Sequence, residues 1–203
     1  MANQDIRKGL VPVGSLSNAG YYGADAEFYK KSDYAVALFV GDPIVVNGTA
    51  NLAKYRERIA GSLPEITIAA AGDGNPISGV IIGFYLPASG STPFTSNYSP
   101  ASTEAIALVD IDARTLYEVQ ADSANVIAAT DISANANVVY THSGNTTTGQ
   151  SGAELNTASM TTTSTYQLQI MRLINRVDNE LGTNAKVLVR INNHSYANVV
   201  AGI

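Results

Sequence analysis

The apolar residues of this chain come in short runs broken by turn residues, and that punctuation confines it to β architecture. Residues 35–40 (AVALFV) run into Gly41-Asp42-Pro43, a turn signal, then into Ile44-Val45-Val46 and Asn47-Gly48. Asn-Gly between apolar residues is the strongest short hairpin signal, because a type I′ turn needs positive φ at both central positions. Further runs cover residues 65–71, 77–86, 105–112 and 116–120. Over residues 166–170, alternation puts Tyr166, Leu168 and Ile170 on one face and Gln167 and Gln169 on the other. In KVLVRI (186–191), Val187, Val189 and Ile191 are expected inward, with Lys186 and Arg190 outward. Together these runs predict a mainly β protein, an antiparallel β-sandwich or barrel.

One stretch competes with that reading. In residues 49–61 (TANLAKYRERIAG), Leu52, Tyr55 and Ile59 share a helical face, Thr49 is placed to cap the start and Gly61 to end it. The spacing predicts a short helix, although Asn47-Gly48 just upstream favours a hairpin. A second helical turn is expected near residues 130–135. Two regions lack periodicity. Residues 1–33 are rich in Gly and Tyr and predict an extended N-terminal arm before a β-rich domain over 34–203. Residues 141–165 are dense in Ser, Thr, Asn and Gly and read as a long solvated loop, a point where the β-rich domain could divide. No internal repeat of fixed period is evident.

Charge narrows the function. Charged residues make up 14% of the 203, well below the roughly 25% typical of globular proteins, while Ser, Thr and Asn number 17 each. The net charge is −5 and the pI about 4.9. Gripping nucleic acid needs clustered cations to displace counterions, and the short basic groups here are each offset by nearby acids. Neither direct nucleic-acid binding nor attraction to an anionic membrane is expected. No apolar run approaches the ~20 residues of a transmembrane helix, and the opening MANQDIRKGLVPV lacks the layout of a signal peptide. Synthesis in the cytoplasm is the expectation. With no cysteine, stability must come from packing or from partner subunits.

Catalytic signatures are missing. The two histidines, His142 and His194, sit in no metal-binding spacing, and no GxSxG elbow marks a nucleophile. His194, in NNHSY, reads as a hydrogen-bonded surface or interface residue. Asp110 and Asp112, in VDIDA, fall on one side of a strand and could hold a hard cation, but oxygen-ligand sites usually need more carboxylates; a solvated strand edge is the reading adopted. Gly72-Asp73-Gly74-Asn75-Pro76 lacks the Lys-Ser/Thr of a phosphate cradle and reads as a tight turn between strands. The sequons at Asn47 and Asn145 carry no meaning without a secretory signal. The chain is expected to be no enzyme and to carry no cofactor and no metal.

A set of segments gives the remaining profile a direction. The chain resembles the capsid decoration, or cement, proteins of tailed bacteriophages. The likeness runs through KGLVPVGSLSNAG (8–20), GDPIVV (41–46) and AAAGDGNPISGVIIGFY (69–85). It continues in LYEVQAD (116–122), SGNTTTGQSGAEL (143–155) and LQIMRLINRVDNELGTNAKVLVRINNHSY (168–196), while residues 51–63 fit less well. The resemblance implies a homotrimer on the outer capsid surface, at threefold and quasi-threefold positions, clamping subunits of the major capsid protein. Packaged DNA pushes outward, and a protein that grips several subunits at once stabilises the assembled lattice by linkage. The arm, notably Val11, Val13, Leu16, Tyr21, Tyr22, Phe28 and Tyr29, is expected to supply contacts to capsid or to a neighbouring copy. Two other classes stay open: a tail-tube or head-completion ring protein, and a carbohydrate-binding module, against which the absence of Trp counts.

Overall fold

A computed structural model describes residues 3–17, 26–85 and 98–197. In chain order the first strands are β1 (Val11–Ser15), β2 (Ala26–Lys30), β3 (Leu38–Phe39), β4 (Pro43–Ala50), β5 (Pro64–Ile68), β6 (Gly79–Phe84) and β7 (Tyr98–Ser99). There follow β8 (Ala105–Asp110), β9 (Thr115–Gln120), β10 (Asn135–Ala136), β11 (Val138–Val139), β12 (Glu154–Leu155), β13 (Leu168–Leu173) and β14 (Lys186–Ile191). The described residues contain no α-helix, and two 3₁₀ turns lie at Ala129–Asp131 and Thr157–Ser159. The chain is mainly β, as its punctuation predicts.

Strands β2-β5-β4-β6-β8 close into a barrel, with β8 returning to β2. Every neighbouring pair is antiparallel except β2 with β5, which meet in parallel at Tyr29 and Glu65. Alternation fills the interior with Phe28, Ile44, Ile66, Ile81, Ala107 and Val109, and Leu38 joins them. A second, five-stranded sheet has the order β1-β9-β14-β13-β10, antiparallel throughout. Its Val119, Leu168, Ile170, Val187 and Val189 share one core with Ile77 and Val80, which come from the barrel side. Val80 carries that contact because alternation turns it away from the barrel interior that Ile81 occupies.

Several local expectations need correction. Residues 49–61 form no helix. The buried Asn51 side chain donates to the carbonyls of Ala53 and Ile59, both at 2.9 Å, and accepts from the Leu63 amide at 2.9 Å. Those bonds hold an open loop whose tip is a small hairpin, Tyr55 and Arg58 exchanging two backbone bonds of 3.0 Å. Asn47-Gly48 does not turn the chain either: it sits in a bulge inside β4, where Gly48 takes φ +84° and Asn47 Oδ1 accepts from the Thr49 amide.

The described residues of the 1–33 segment do not project as an arm. The Asn3 side chain bonds the backbone of Glu180 and Thr183, Gln120 receives the Ile6 amide at 2.7 Å, and Lys186 Nζ reaches the Gln4 carbonyl. Leu10 is buried in the main core and β1 pairs with β9, so residues 3–15 are part of this chain's own sheet. Lys186 is buried for the same reason. The polar segment is likewise no detached loop: residues 151–155 are buried, Val40 bridges Gln150, and β12 pairs with β11.

The glutamines that alternation sets on the other face of 166–170 are also inside. Gln167 is fully buried, and its side chain fills every hydrogen-bonding position it has. Nε2 donates to Ala70 O (2.8 Å) and Asn75 O (3.1 Å), while Oε1 accepts from the amides of Gly72 (3.2 Å) and Val138 (3.1 Å). One side chain therefore fastens the β5–β6 turn, read correctly as a turn, to β11. Replacing it by leucine strands four backbone groups, each costing about 1–3 kcal/mol if left dry. Gln167→Leu is expected to lower the unfolding free energy in urea by about 3 kcal/mol or more.

Candidate contact surface

Of the seven residues expected to make contacts, Val11, Val13 and Leu16 lie in or just after β1, an edge strand. Val13 and Leu16 are each 48% exposed, and Ile6 nearby is 45% exposed. Pro12 and the bulge between Pro12 and Gly14 break the regularity of this edge. Proline and bulges blunt open-ended strand addition, so β1 exposes side chains rather than a regular backbone edge. Beside it a cavity of about 190 Å³ is lined by Ile6, Val11, Glu118, Arg176 and Asp178, among others. Arg176 grips Glu118 through two bonds of 2.8 and 3.2 Å, and its neighbour Val177 is 99% exposed. Apolar side chains rimmed by paired charges are the ordinary make-up of a protein-binding surface.

Phe28 and Tyr29 do not belong to that surface. Phe28 faces the barrel interior, and Tyr29 packs with Leu63 and Ile106 on the opposite side of β2. Both are buried because β2 is the strand that closes the barrel between β8 and β5. Tyr21 and Tyr22 lie outside the described residues.

Tyr29 instead anchors a second exposed patch. Its ring meets Tyr55 edge-on at 5.6 Å, its hydroxyl donates to Glu104, and Tyr55 donates to the Glu104 carbonyl. Burial raises the Tyr29 phenol above its ordinary value, with the Glu104 carboxylate adding to the shift. From this footing the 51–62 loop holds Leu52 at 89% and Ile59 at 70% exposure. Arg58 binds Glu27 in bidentate fashion and lies over the Tyr85 ring at 5.1 Å, while Arg56 lies over Tyr55 at 5.4 Å. The Arg58 hydrogen bond holds the Glu27 carboxyl below the usual carboxylate range. Leucine, tyrosine and arginine on a braced loop make a plausible anchor composition, Tyr and Arg being the residue types enriched at binding hot spots. Sequence reasoning missed it by placing Leu52 and Ile59 on one face of a helix that does not form. The signal available was the density of Tyr and Arg beside two aliphatics in a stretch ending on glycine.

The remaining candidates separate. Asp110 is buried, accepting from the Tyr117 hydroxyl (3.1 Å) and the Asp112 amide (3.0 Å), whereas Asp112 is exposed and accepts from the Arg114 amide. The two do not converge on a cation position. His194 is buried, not superficial; Nδ1 accepts from the Tyr196 amide at 3.1 Å, and burial lowers its pKa, with the Asp112 charge opposing. No group of three or more His, Asp or Glu side chains in metal-binding arrangement occurs among the described residues. His142 is exposed.

Strand β2 also carries a buried cation. Lys30 is fully buried, donates to the carbonyls of Pro100 and Thr103, and is pushed down to about 8 by desolvation. Between about pH 8 and 10.5 the unfolded lysine holds a proton that the folded one has lost, so stability contributed by this site rises with pH. The gain relative to Lys30→Met is expected to be about 1–3 kcal/mol across that window, read from paired denaturation curves at pH 7.5 and 10.

The sequence matches no family model and no curated protein.

Proposed function

We propose that this chain is a structural protein of a phage virion, binding the outer capsid surface as a homotrimer at threefold and quasi-threefold positions. In this role it clamps neighbouring major capsid subunits and stiffens the DNA-filled head. The observation that carries the reading is the pair of exposed apolar groups on braced backbone. One is Ile6, Val13 and Leu16 beside β1; the other is Leu52 and Ile59 on the 51–62 loop, with Tyr85 43% exposed. The resemblance of segments 8–20, 41–46, 69–85 and 168–196 to cement proteins points the same way, as does the low charge.

Two patches on one chain, tripled in a trimer, give many weak grips on a repetitive lattice. Linking them raises the effective concentration of each grip, so modest individual contacts suffice. A partner that binds the assembled shell and not its loose subunits stabilises the shell by mass action. Nothing in this requires a reactive group, a cofactor or nucleic acid.

The test is decoration of purified expanded heads, imaged by electron microscopy, with the free protein sized by sedimentation. Trimers in solution and density at threefold positions are expected. Rings in solution, location in the tail, or binding to glycans instead of heads would overturn the reading. The variants Leu52→Asp/Ile59→Asp and Val13→Asp/Leu16→Asp alter exposed residues and are expected to change folding stability by only about 0.5 kcal/mol. Head binding is expected to weaken about tenfold or more in at least one of them.

A further inference from the structure

A cavity of about 530 Å³ opens where the polar 141–152 segment passes over the β3–β4 turn. Buried Phe39 and Asp42 line its deeper part, Ile68 and Tyr140 its walls, and exposed Val36 and His142 its rim. A volume of that size matches the range of small-ligand pockets. The lining is held firmly. Phe39 stacks on Tyr98 at 5.0 Å with 6° between planes, and Gly144 lies so close to the Phe39 ring that a Cβ there would sit 2.3 Å away. Tyr140 is fixed by donating to Ala69 O at 2.8 Å.

Among the described residues of this lining Asp42 is the one carboxylate, and no lysine or arginine shares it. Its Oδ2 accepts from the Phe39 amide at 2.7 Å, and the Ser151 hydroxyl also bonds it. A carboxylate has about four acceptor sites, so these two bonds leave capacity for a further donor. An asparagine oxygen could take the same two bonds without a buried charge. The charge is costly in place: burial pushes the Asp42 carboxyl up to about 6. The carboxylate oxygen serves the local turn, but its charge does not, and a buried charge held at a cost to stability is the kind of feature retained for binding.

We propose that this cavity binds a primary ammonium group borne on an apolar body, the nitrogen meeting the Asp42 carboxylate and the body lying between Ile68, Phe39 and Tyr140. The ammonium supplies three donors and the opposite charge, and the walls take up the aliphatic stem. A free alkylamine and a lysine side chain of another protein share this chemistry. The site does not depend on the capsid reading and can stand or fall apart from it.

The experiment titrates hexylammonium into the full chain near neutral pH and follows the amide signals of Phe39, Asp42 and Gly152. 1-Hexanol and hexanoate serve as neutral and anionic controls, and N-acetyl-lysine methylamide as the peptide-borne amine. Saturable shifts are expected with both amines, hexylammonium binding about tenfold or more tightly than hexanol. Whichever amine binds more tightly identifies the natural source. Asp42→Asn, checked for an unaltered fold by its amide spectrum, is expected to lose that preference while still admitting hexanol. Equal affinity for hexanol and hexylammonium in the unaltered protein, or absence of saturation by either amine up to about 10 mM, overturns the proposal. So does an undiminished amine preference in Asp42→Asn.

Discussion

Where Gly9 passes Gly41, two backbones touch with no side chain between them, and three parts of the molecule are fixed by that approach. A Cβ on Gly9 would stand 2.4 Å from the Gly41 carbonyl oxygen and 2.5 Å from Ser151 Cβ; one on Gly41 would stand 2.4 Å from the Lys8 oxygen. Both residues take positive φ, +68° and +92°, which glycine adopts without strain. Around this point the Leu10 amide reaches Gly41 O, the Gly41 amide reaches Ile81 O in the barrel, and Val40 and residues 149–151 exchange bonds of 3.0 and 2.8 Å. The start of the open sheet, the barrel and the polar segment are thus joined through backbone. Leu10, the next residue, carries that joint into the main core.

Strand positions were legible because apolar runs and turn residues are local properties, and the 72–76 turn and the 3₁₀ turn at Ala129–Asp131 fell near where the pattern put them. What failed was whatever depended on a distant partner. Phe28 and Tyr29 look like anchors on an arm until β8, about eighty residues on, pairs with β2 and encloses them. Gln167 and Gln169 alternate correctly with Leu168 and Ile170, yet alternation does not reveal that the two glutamines are themselves buried. The helical spacing of Leu52, Tyr55 and Ile59 was real, but a single buried amide, Asn51, held the carbonyls in another conformation. Of the exposed apolar groups, Val13 and Leu16 were singled out from the sequence; the 51–62 stretch carried a compositional signal in its Tyr and Arg, but its exposure follows from the loop that Asn51 holds.

The low charge acquires a structural explanation. Buried and half-buried amide side chains act as braces for irregular backbone: Gln167 between turn and strand, Asn51 across its loop, and the half-buried Asn179 on Ile174 O, Lys186 O and the Lys186 amide. Asn192 does the same for the carbonyls of Ser164 and Tyr166. An amide has donors and acceptors on one planar group and no net charge to desolvate, so it satisfies mixed backbone partners where a carboxylate or ammonium would cost more. Abundant asparagine therefore reflects long connections that must be ordered without helices. Asp42 and Lys30 depart from this pattern, and both have pKa values displaced by burial.

The pairing of β1 with β9, and of β9 with β14, sets an order on synthesis. A nascent chain presents β1 about a hundred residues before its partner β9, and β14, which backs that partner, comes some seventy residues later still. The amino-terminal strand must wait, apolar residues uncovered, while the barrel strands around it emerge and close. Contacts so distant along the chain slow folding and prolong the interval in which partly folded chains expose apolar surface and can aggregate.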